Sequence, residues 1–189
     1  MFNITIREAI KQDSAKAAVL IYDAIDDIAD VLTGEKEKHK VLKRLELYFS
    51  QEVNRLSYHN CLVKIIDDEP VGIAIAYHGK DAWKLDESIR KHLKNITSKE
   101  VKLDSEADIA DYYLDTLSVN PLFGGQGIGT DLLKGVIYEA KEQGYRTISL
   151  NVDKKNVKAR RLYEKMDFVY KKSIKINNHY YDYLVKCIF

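Results

Sequence analysis

The 189-residue sequence predicts a single domain, residues 1–189, of the α/β class and the α+β type, with helices on both faces of a mixed sheet. Three observations support this. Two amphipathic helical patterns precede the first strand pair, a strand leads through a glycine cluster into a helix in the second half, and two strands close the chain around Asn177-Asn178. Helices and strands do not alternate regularly, which argues against a parallel βαβα repeat.

Elements of the first half follow from periodicity and stop signals. Alternation predicts a strand from Phe2 to Arg7, and apolar residues three and four apart predict helices that end near Gly34 and Leu56. Two apolar runs separated by a polar turn predict a hairpin. The predicted ranges are a strand over 2–7, helices over 13–32 and 35–56, and strands over 60–66 and 71–77 joined by a turn over 67–70.

Residues 79–111 form an insert between the hairpin and the next strand. It reads as a helix over about 82–93 followed by a polar run, and it is longer than most connections in compact domains. Long connections often serve binding, so we expect this insert to shape one side of a site. We expect Trp83, the only tryptophan, to pack the insert against the domain.

The centre of the chain reads strand, glycine loop, helix. A strand over 114–119 stops at Asn120-Pro121, glycines follow, and helical spacing begins at Ile128 and ends before Gly144. The first amides of a helix lack internal partners and carry the positive end of its dipole, so the loop should bind an anion such as a phosphate or a diphosphate. A P-loop would need a lysine after its last glycine, and none follows Gly129; the glycine spacing also differs from the dinucleotide-binding fingerprint. Neither motif fits this loop. The loop glycines are Gly124, Gly125, Gly127 and Gly129.

Composition limits the other classes of function. The formal net charge is +1 with 31% charged residues of both signs, so the molecule lacks the basic field of a nucleic-acid-binding protein. No apolar run approaches the ~18 residues of a membrane span, and the start does not resemble a signal peptide. Cys61 and Cys187 are too sparse for a disulfide framework, and no His or Cys pair has ligand spacing. We expect a cytoplasmic protein with no metal, nucleic-acid or membrane partner.

A second motif follows the glycine loop. Asn156-Val-Lys-Ala159-Arg-Arg-Leu162-Tyr163 opens a predicted helix over 156–166, between strands over 147–152 and 168–176, and a last strand covers 180–188. Together with the glycine loop and Leu117-Ser118-Val119, this motif resembles the GNAT superfamily of acetyl-CoA-dependent N-acetyltransferases. The resemblance implies a mixed, mostly antiparallel twisted sheet whose central strands splay at the cofactor site.

The same resemblance assigns the residues that would bind acetyl-CoA. Backbone groups of Leu117 and Val119 would hold the thioester, and amides from Phe123 to Thr130 would bind the diphosphate. Asn156 would form a hydrogen bond with the pantetheine arm. Gly124 stands where the family usually has Gln or Arg, so the side-chain contribution to cofactor binding should be weaker. The full predicted set is Leu117, Ser118, Val119, Phe123, Gly124, Gly125, Gln126, Gly127, Ile128, Gly129, Thr130, Asn151, Asn156, Ala159 and Tyr163.

Catalysis of acetyl transfer to an amine needs a proton for the departing thiolate and a neutral amine. Tyr163 resembles the family's proton donor; core packing is the alternative role. Asp115 and Tyr113 lie on one face of the central strand by alternation and are the candidates for the base, with His78 a weaker one. Either carboxylate or phenol could instead make only a structural contact.

The predicted activity is N-acetyl transfer from acetyl-CoA to a primary amine of a small molecule or peptide, by direct attack in a ternary complex. The alternative is a non-catalytic acyl-CoA-binding sensor on the same fold. Acidic residues on the first helix are either a solvated face or a wall that attracts a cationic acceptor. The acceptor's identity and a homodimer are left open. The acidic residues are Asp23, Asp26, Asp27 and Asp30.

Overall fold

A computed structural model describes residues 4–189, so the predicted strand positions Phe2 and Asn3 lie outside the described residues. The strands are β1 (Ile4–Glu8), β2 (Cys61–Ile66), β3 (Glu69–His78), β4 (Tyr112–Val119), β5 (Thr147–Asp153), β6 (Val169–Ile176) and β7 (His179–Cys187). The α-helices are α1 (Ser14–Ile25), α2 (Asp27–Thr33), α3 (Lys38–Ser50), α4 (Ala82–Leu85), α5 (Glu87–Thr97), α6 (Ile128–Glu142) and α7 (Val157–Lys165). None of the helices within residues 4–189 has the length and apolar character needed to cross a membrane.

All seven strands join one sheet in the order β1-β2-β3-β4-β5-β7-β6. Every neighbouring pair is antiparallel except β4 and β5, which are parallel. The predicted mixed, mostly antiparallel sheet is therefore confirmed. Asn177 and Asn178 both have positive φ, 44° and 66°, as a two-residue turn between twisted strands requires, so the predicted final hairpin is also present.

The two faces of the sheet are buried against different helices. Val63 and Ile73 lie in the core with α1, α2, α3 and α5, whereas Leu62 and Ala74 lie in the core with α6. Successive side chains of a strand point to opposite faces, so β2 and β3 must be apolar on both. This confirms the prediction of helices on both faces.

The predicted first helix is two helices. Asp26 leaves the helical conformation with φ 45° and ψ −122°, which separates α1 from α2. Aspartate tolerates positive φ better than most residues, and the break lets each short helix bury its own apolar side.

The predicted second helix is too long at its C-terminal end, because α3 ends at Ser50. The side-chain amide of Asn54 donates to the Tyr48 carbonyl at 2.7 Å, and the Ser57 hydroxyl donates to the Gln51 carbonyl at 2.6 Å. Such side-chain bonds to the backbone compete with helix propagation. Residues 51–57 therefore turn away from the helix and carry Arg55 into the interior, where it is 3% exposed.

The insert contains two short helices and an irregular part, residues 98–111, which we call the 98–111 segment. Polar contacts fix this segment: Asn151 donates to the Glu106 carbonyl at 2.9 Å, and Asp108 forms an ion pair with Lys171 at 2.8 Å. The packing role predicted for Trp83 is wrong. Its side chain is 71% exposed and stacks only under the guanidinium of Arg90, 3.8 Å from the ring centre.

Gly79 lies where the 98–111 segment approaches β3, and it permits that approach. A Cβ at this position would lie 2.0 Å from the Asp108 carbonyl oxygen. We expect Gly79→Ala to lower the free energy of unfolding by about 1–3 kcal/mol, because backbone must move to relieve the overlap. Urea unfolding would show a lower midpoint. Gly129→Ala is the control, since its Cβ would make an ordinary 3.5 Å contact with Leu162, and equal midpoints would contradict the prediction.

Candidate active site

The parallel pairing between β4 and β5 is short and then opens. It joins only Tyr112–Leu114 to Ile148–Leu150, although β4 continues to Val119 and β5 to Asp153. A cavity of about 630 Å³ lies between the diverging strands, lined by residues 114–117 and 150–153. We call it the inter-strand cavity. The end of β4 thus has no strand partner on this side among the described residues, as the predicted splay requires.

The glycine loop follows directly on the free end of β4. The amides of Phe123 and Gly124 donate to Asn120 and Pro121 carbonyls at 2.9 and 3.1 Å, so these two predicted anion donors are already used. The amides of residues 125–130 form no hydrogen bond with any described residue, and the first bond of α6 begins at Asp131. The free donors are therefore a narrower set than the predicted 123–130.

Six consecutive free amides at the start of a 15-residue helix suit a diphosphate. Gly125 and Gly127 have φ of 79° and 81°, and these left-handed conformations turn the chain into α6. A Cβ at Gly124 would lie 3.1 Å from the Pro121 carbonyl oxygen, so a larger residue there would crowd this turn. The loop residues present thus fit the anionic part of acetyl-CoA through backbone alone.

Helix α7 places the second motif beside the inter-strand cavity. Asn156 caps the helix by accepting the Ala159 amide at 3.0 Å. Tyr163 lines the cavity but is only 7% exposed, and its ring meets Phe168 edge-on at 6.0 Å. Burial raises the pKa of Tyr163 to about 12, so its phenol is protonated at neutral pH.

A buried ion cluster forms the floor of the cavity around Arg55. Its guanidinium lies 2.7 Å from Asp115, 2.8 Å from Glu106 and 3.7 Å from Asp86. Burial alone would lower the pKa of Arg55, but these carboxylates raise it well above its ordinary value. Burial raises the pKa of Glu106 and of Asp86, and Arg55 opposes both shifts.

The predicted base candidates Asp115 and Tyr113 both belong to this cluster. Asp115 accepts the Tyr77 hydroxyl at 2.6 Å and the Arg55 Nε at 2.8 Å. Tyr113 donates to Glu106 at 3.0 Å and accepts from Asn151 at 2.9 Å. Both residues line the inter-strand cavity, as their shared strand face predicts, whereas Arg55 and Glu106 have no sequence signal that marks them as site residues.

Two of the acidic residues of the first predicted helix and His78 lie at different cavities. Asp26 and Asp27 line the inter-strand cavity, whereas Asp23 and Asp30 are not among its lining residues. His78 lines a separate cavity of about 540 Å³ at the other end of β4, where its Nδ1 accepts the Lys80 amide. Burial lowers the pKa of His78. Within residues 4–189 no group of three or more His, Cys, Asp or Glu side chains could hold a metal ion.

Comparison with known proteins gives a consistent result. Residues 24–168 match the model of the acetyltransferase (GNAT) family. A solved structure described as an acetyltransferase is 29% identical over 98% of this chain and 100% of its own, with a TM-score of 0.81. An N-acetyltransferase from Staphylococcus aureus Mu50 is 25% identical over 96% and 100%, with a TM-score of 0.82. The ribosomal-protein-S18-alanine N-acetyltransferase from Escherichia coli, 17% identical over 98% and 94% with a TM-score of 0.60, shares the fold. No curated protein sequence matches this chain.

Replacing Arg55 should leave its three buried carboxylate neighbours without their cationic partner and so destabilise the fold. We expect Arg55→Met to lower the free energy of unfolding by about 3–5 kcal/mol at pH 7.5, since buried charges lose their partner. The loss should be smaller at pH 4.5. Burial raises the pKa values of Glu106 and Asp86 in the folded protein, so protonation of these two carboxyl groups favours the folded state. This stabilisation is present at low pH and is lost as the pH rises through the raised pKa values.

Urea unfolding of the wild type and of Arg55→Met at pH 4.5 and pH 7.5 measures the loss of stability at each pH. Arg146→Met is the control, because Arg146 is exposed and forms no ion pair with another described residue. A deficit in Arg55→Met that is the same at pH 4.5 and pH 7.5 would contradict the charge argument.

Proposed function

Since the chain belongs to the GNAT family of acetyltransferases, we propose that it transfers the acetyl group of acetyl-CoA to a primary amine of a small molecule or peptide, by direct attack in a ternary complex. The observation that carries the proposal is the path along β4. Its free end borders the inter-strand cavity beside Tyr163 and leads within a few residues to the free amides of the glycine loop.

In this proposal the chain binds acetyl-CoA mainly through backbone. Leu117, Ser118 and Val119 offer an unpaired strand edge for the thioester arm, and residues 125–130 offer amides for the diphosphate. Each hydrogen bond to a charged oxygen contributes roughly 1.5–3 kcal/mol, so several compensate for the missing side chain at Gly124. Asn151, Asn156 and Ala159 border the path. Acetyl-CoA supplies an acyl group activated as a thioester.

Direct attack is favoured because neither cysteine is placed to carry the acetyl group. Cys61 is buried in β2 on the face packed against α1 and α3, and burial raises the pKa of its thiol. Cys187 is exposed at the end of β7. Neither residue lines the inter-strand cavity. A thiolate nucleophile is therefore not available where the acceptor would bind.

Tyr163 is assigned as the proton donor to the departing thiolate, and this assignment is testable. Wild-type protein should release free coenzyme A from acetyl-CoA with at least one primary amine from a panel of agmatine, spermidine and a peptide with N-terminal alanine. Tyr163→Phe should lower turnover about 10²–10⁴-fold, because it removes the hydroxyl group that carries the acidic proton and keeps the ring. Calorimetry should give an unchanged acetyl-CoA affinity. An unchanged rate in Tyr163→Phe would remove the assignment, and release of no coenzyme A with any amine would favour a binding-only role.

The glycine loop allows a matched pair of variants. Gly127 and Gly144 have φ of 81° and 80° and open space around a Cβ, but only Gly127 lies in the loop. Alanine at either position should cost about 1–2 kcal/mol of stability. Only Gly127→Ala should weaken acetyl-CoA binding, by about 10- to 100-fold, because it misaligns at least one charged hydrogen bond. Calorimetric dissociation constants that rise equally in both variants would contradict a diphosphate site in the loop.

A further inference from the structure

The ion cluster below the inter-strand cavity has an excess of negative charge. Three carboxylates surround the one guanidinium of Arg55, and no other basic side chain in the described part of the chain forms an ion pair with any of them. With all three ionised, the cluster would carry two uncompensated charges in a buried place, which is costly. Such a cluster should take up either a proton or a cation.

The three carboxylates differ in what they can still accept. Both oxygens of Asp115 are occupied, since Oδ2 accepts from Arg55 and Tyr77 and Oδ1 accepts from Thr116. Asp86 does not line the inter-strand cavity. Glu106 does line it and is 12% exposed at its side chain. Its Oε2 accepts from Arg55 and Tyr113, whereas Oε1 accepts no hydrogen bond from any residue between 4 and 189.

Glu106 is also held firmly although it lies in a segment without helix or strand. Its carbonyl accepts the Asn151 side-chain amide at 2.9 Å, which ties the backbone to β5. Two residues further on, the Asp108 amide donates to the Tyr183 hydroxyl at 3.0 Å. Together with the two bonds to Oε2, these contacts leave Glu106 with one fixed, free oxygen beside the cavity. A fixed and unsatisfied acceptor is what proton transfer from a bound amine requires.

We propose that Glu106 is the residue that takes the proton from the acceptor amine, which enters the inter-strand cavity as an ammonium ion. This inference rests on the proposed function. One proton of the ammonium passes to Glu106 Oε1, and the freed lone pair forms a bond to the thioester carbonyl carbon. The carbon–sulfur bond breaks, and Tyr163 protonates the sulfur. The second excess proton on nitrogen restores the Tyr163 phenol, and Glu106 releases its proton to solvent.

The surroundings of Glu106 suit this role. An alkyl amine with a pKa of ~10.4 is neutral only about once in 2,500 molecules at pH 7, and a base works best when its own pKa approaches the working pH. Burial raises the pKa of Glu106, Arg55 opposes this, and Asp115 adds to it. The titratable and charged groups that face Glu106 come from several elements, namely Arg55, Asp115, Tyr77, Tyr113 and Tyr181, and Asp86 shares Arg55 with it.

Asp115 and Tyr113 remain predictions as direct proton acceptors, but their contacts favour supporting roles. Burial and the neighbouring carboxylates raise the pKa of Tyr113 well above its ordinary value, so its phenol stays protonated and donates to Glu106. Asp115 holds Arg55, which in turn holds Glu106. Each would therefore act by positioning the carboxylate that faces the amine.

Glu106→Gln tests the proposal with little change of shape. The amide oxygen can still accept from Arg55 and Tyr113, but no anionic base remains. With an acceptor from the panel that the wild-type protein acetylates, we expect turnover at pH 7.5 to fall about 10²–10⁴-fold while acetyl-CoA affinity is unchanged. The matched control is Glu100→Gln, in the same segment with its side chain 81% exposed, which should keep the wild-type rate.

The pH profile separates a base from a merely structural residue. Wild-type kcat/KM should rise through an acid limb set by Glu106 and then level off. In Glu106→Gln only the neutral amine reacts, so kcat/KM should rise about tenfold per pH unit up to the pKa of the amine. An unchanged rate, or a profile equal to that of the wild type, would overturn the proposal.

Three further outcomes separate a failure of folding, of the proposed function and of the role of Glu106. If Glu106→Gln does not fold, Glu106→Asp decides: a retained acid limb at reduced rate supports the proposal, and a lost limb overturns it. If wild-type protein acetylates no amine in the panel, the proposed function fails and the role of Glu106 fails with it. If the wild type is active and Glu106→Gln has the same rate, the role of Glu106 is wrong and the proposed function stands.

Discussion

The site depends on a mismatch between the two sides of β4 and β5. β4 pairs with β3 from Tyr112 to Val119 except at a bulge that leaves Asp115 without a partner, and β5 pairs with β7 along its whole length, but β4 and β5 pair with each other at only three positions. Each strand is thus held rigidly from outside while the inner edges diverge. Backbone N–H and C=O groups on those inner edges have no partner in the sheet. Because buried donors and acceptors are costly to leave unpaired, pairing with a ligand is favoured there.

A polar network occupies the floor of the opening in place of an apolar core. Arg55, Glu106 and Asp115 with Tyr77 and Tyr113 connect residues 51–57, the 98–111 segment and the strands β3 and β4. Such a network seldom stabilises a fold more than well-packed apolar residues would. Its retention here fits a functional use, in which stability is given up for charge placed where an ammonium ion must lose a proton.

The parts of the site that could be predicted are local in sequence. Helical spacing after a glycine cluster and the Asn156 to Tyr163 motif each lie within one helix and the residues before it, where periodicity is informative. Periodicity predicts a helix over 35–56 that includes Arg55 near its C-terminal end, but bonds from the Asn54 and Ser57 side chains to the backbone end that helix early. Glu106 belongs to a segment with no periodicity, whose path is fixed by partners far along the chain. No local pattern reports such contacts.

The pKa of Tyr163 links its burial to its proposed chemistry. A phenol with a pKa of about 12 would give its proton to an ordinary thiolate, whose conjugate acid has a pKa of ~8.5, only with an unfavourable difference of roughly 5 kcal/mol. The thiolate, however, would form beside this buried phenol. Desolvation penalises its charge as it penalises the phenolate, so the two pKa values rise together and the gap narrows. The burial that makes Tyr163 a weak acid in isolation therefore also makes its partner a stronger base, and the match depends on both groups being kept from water.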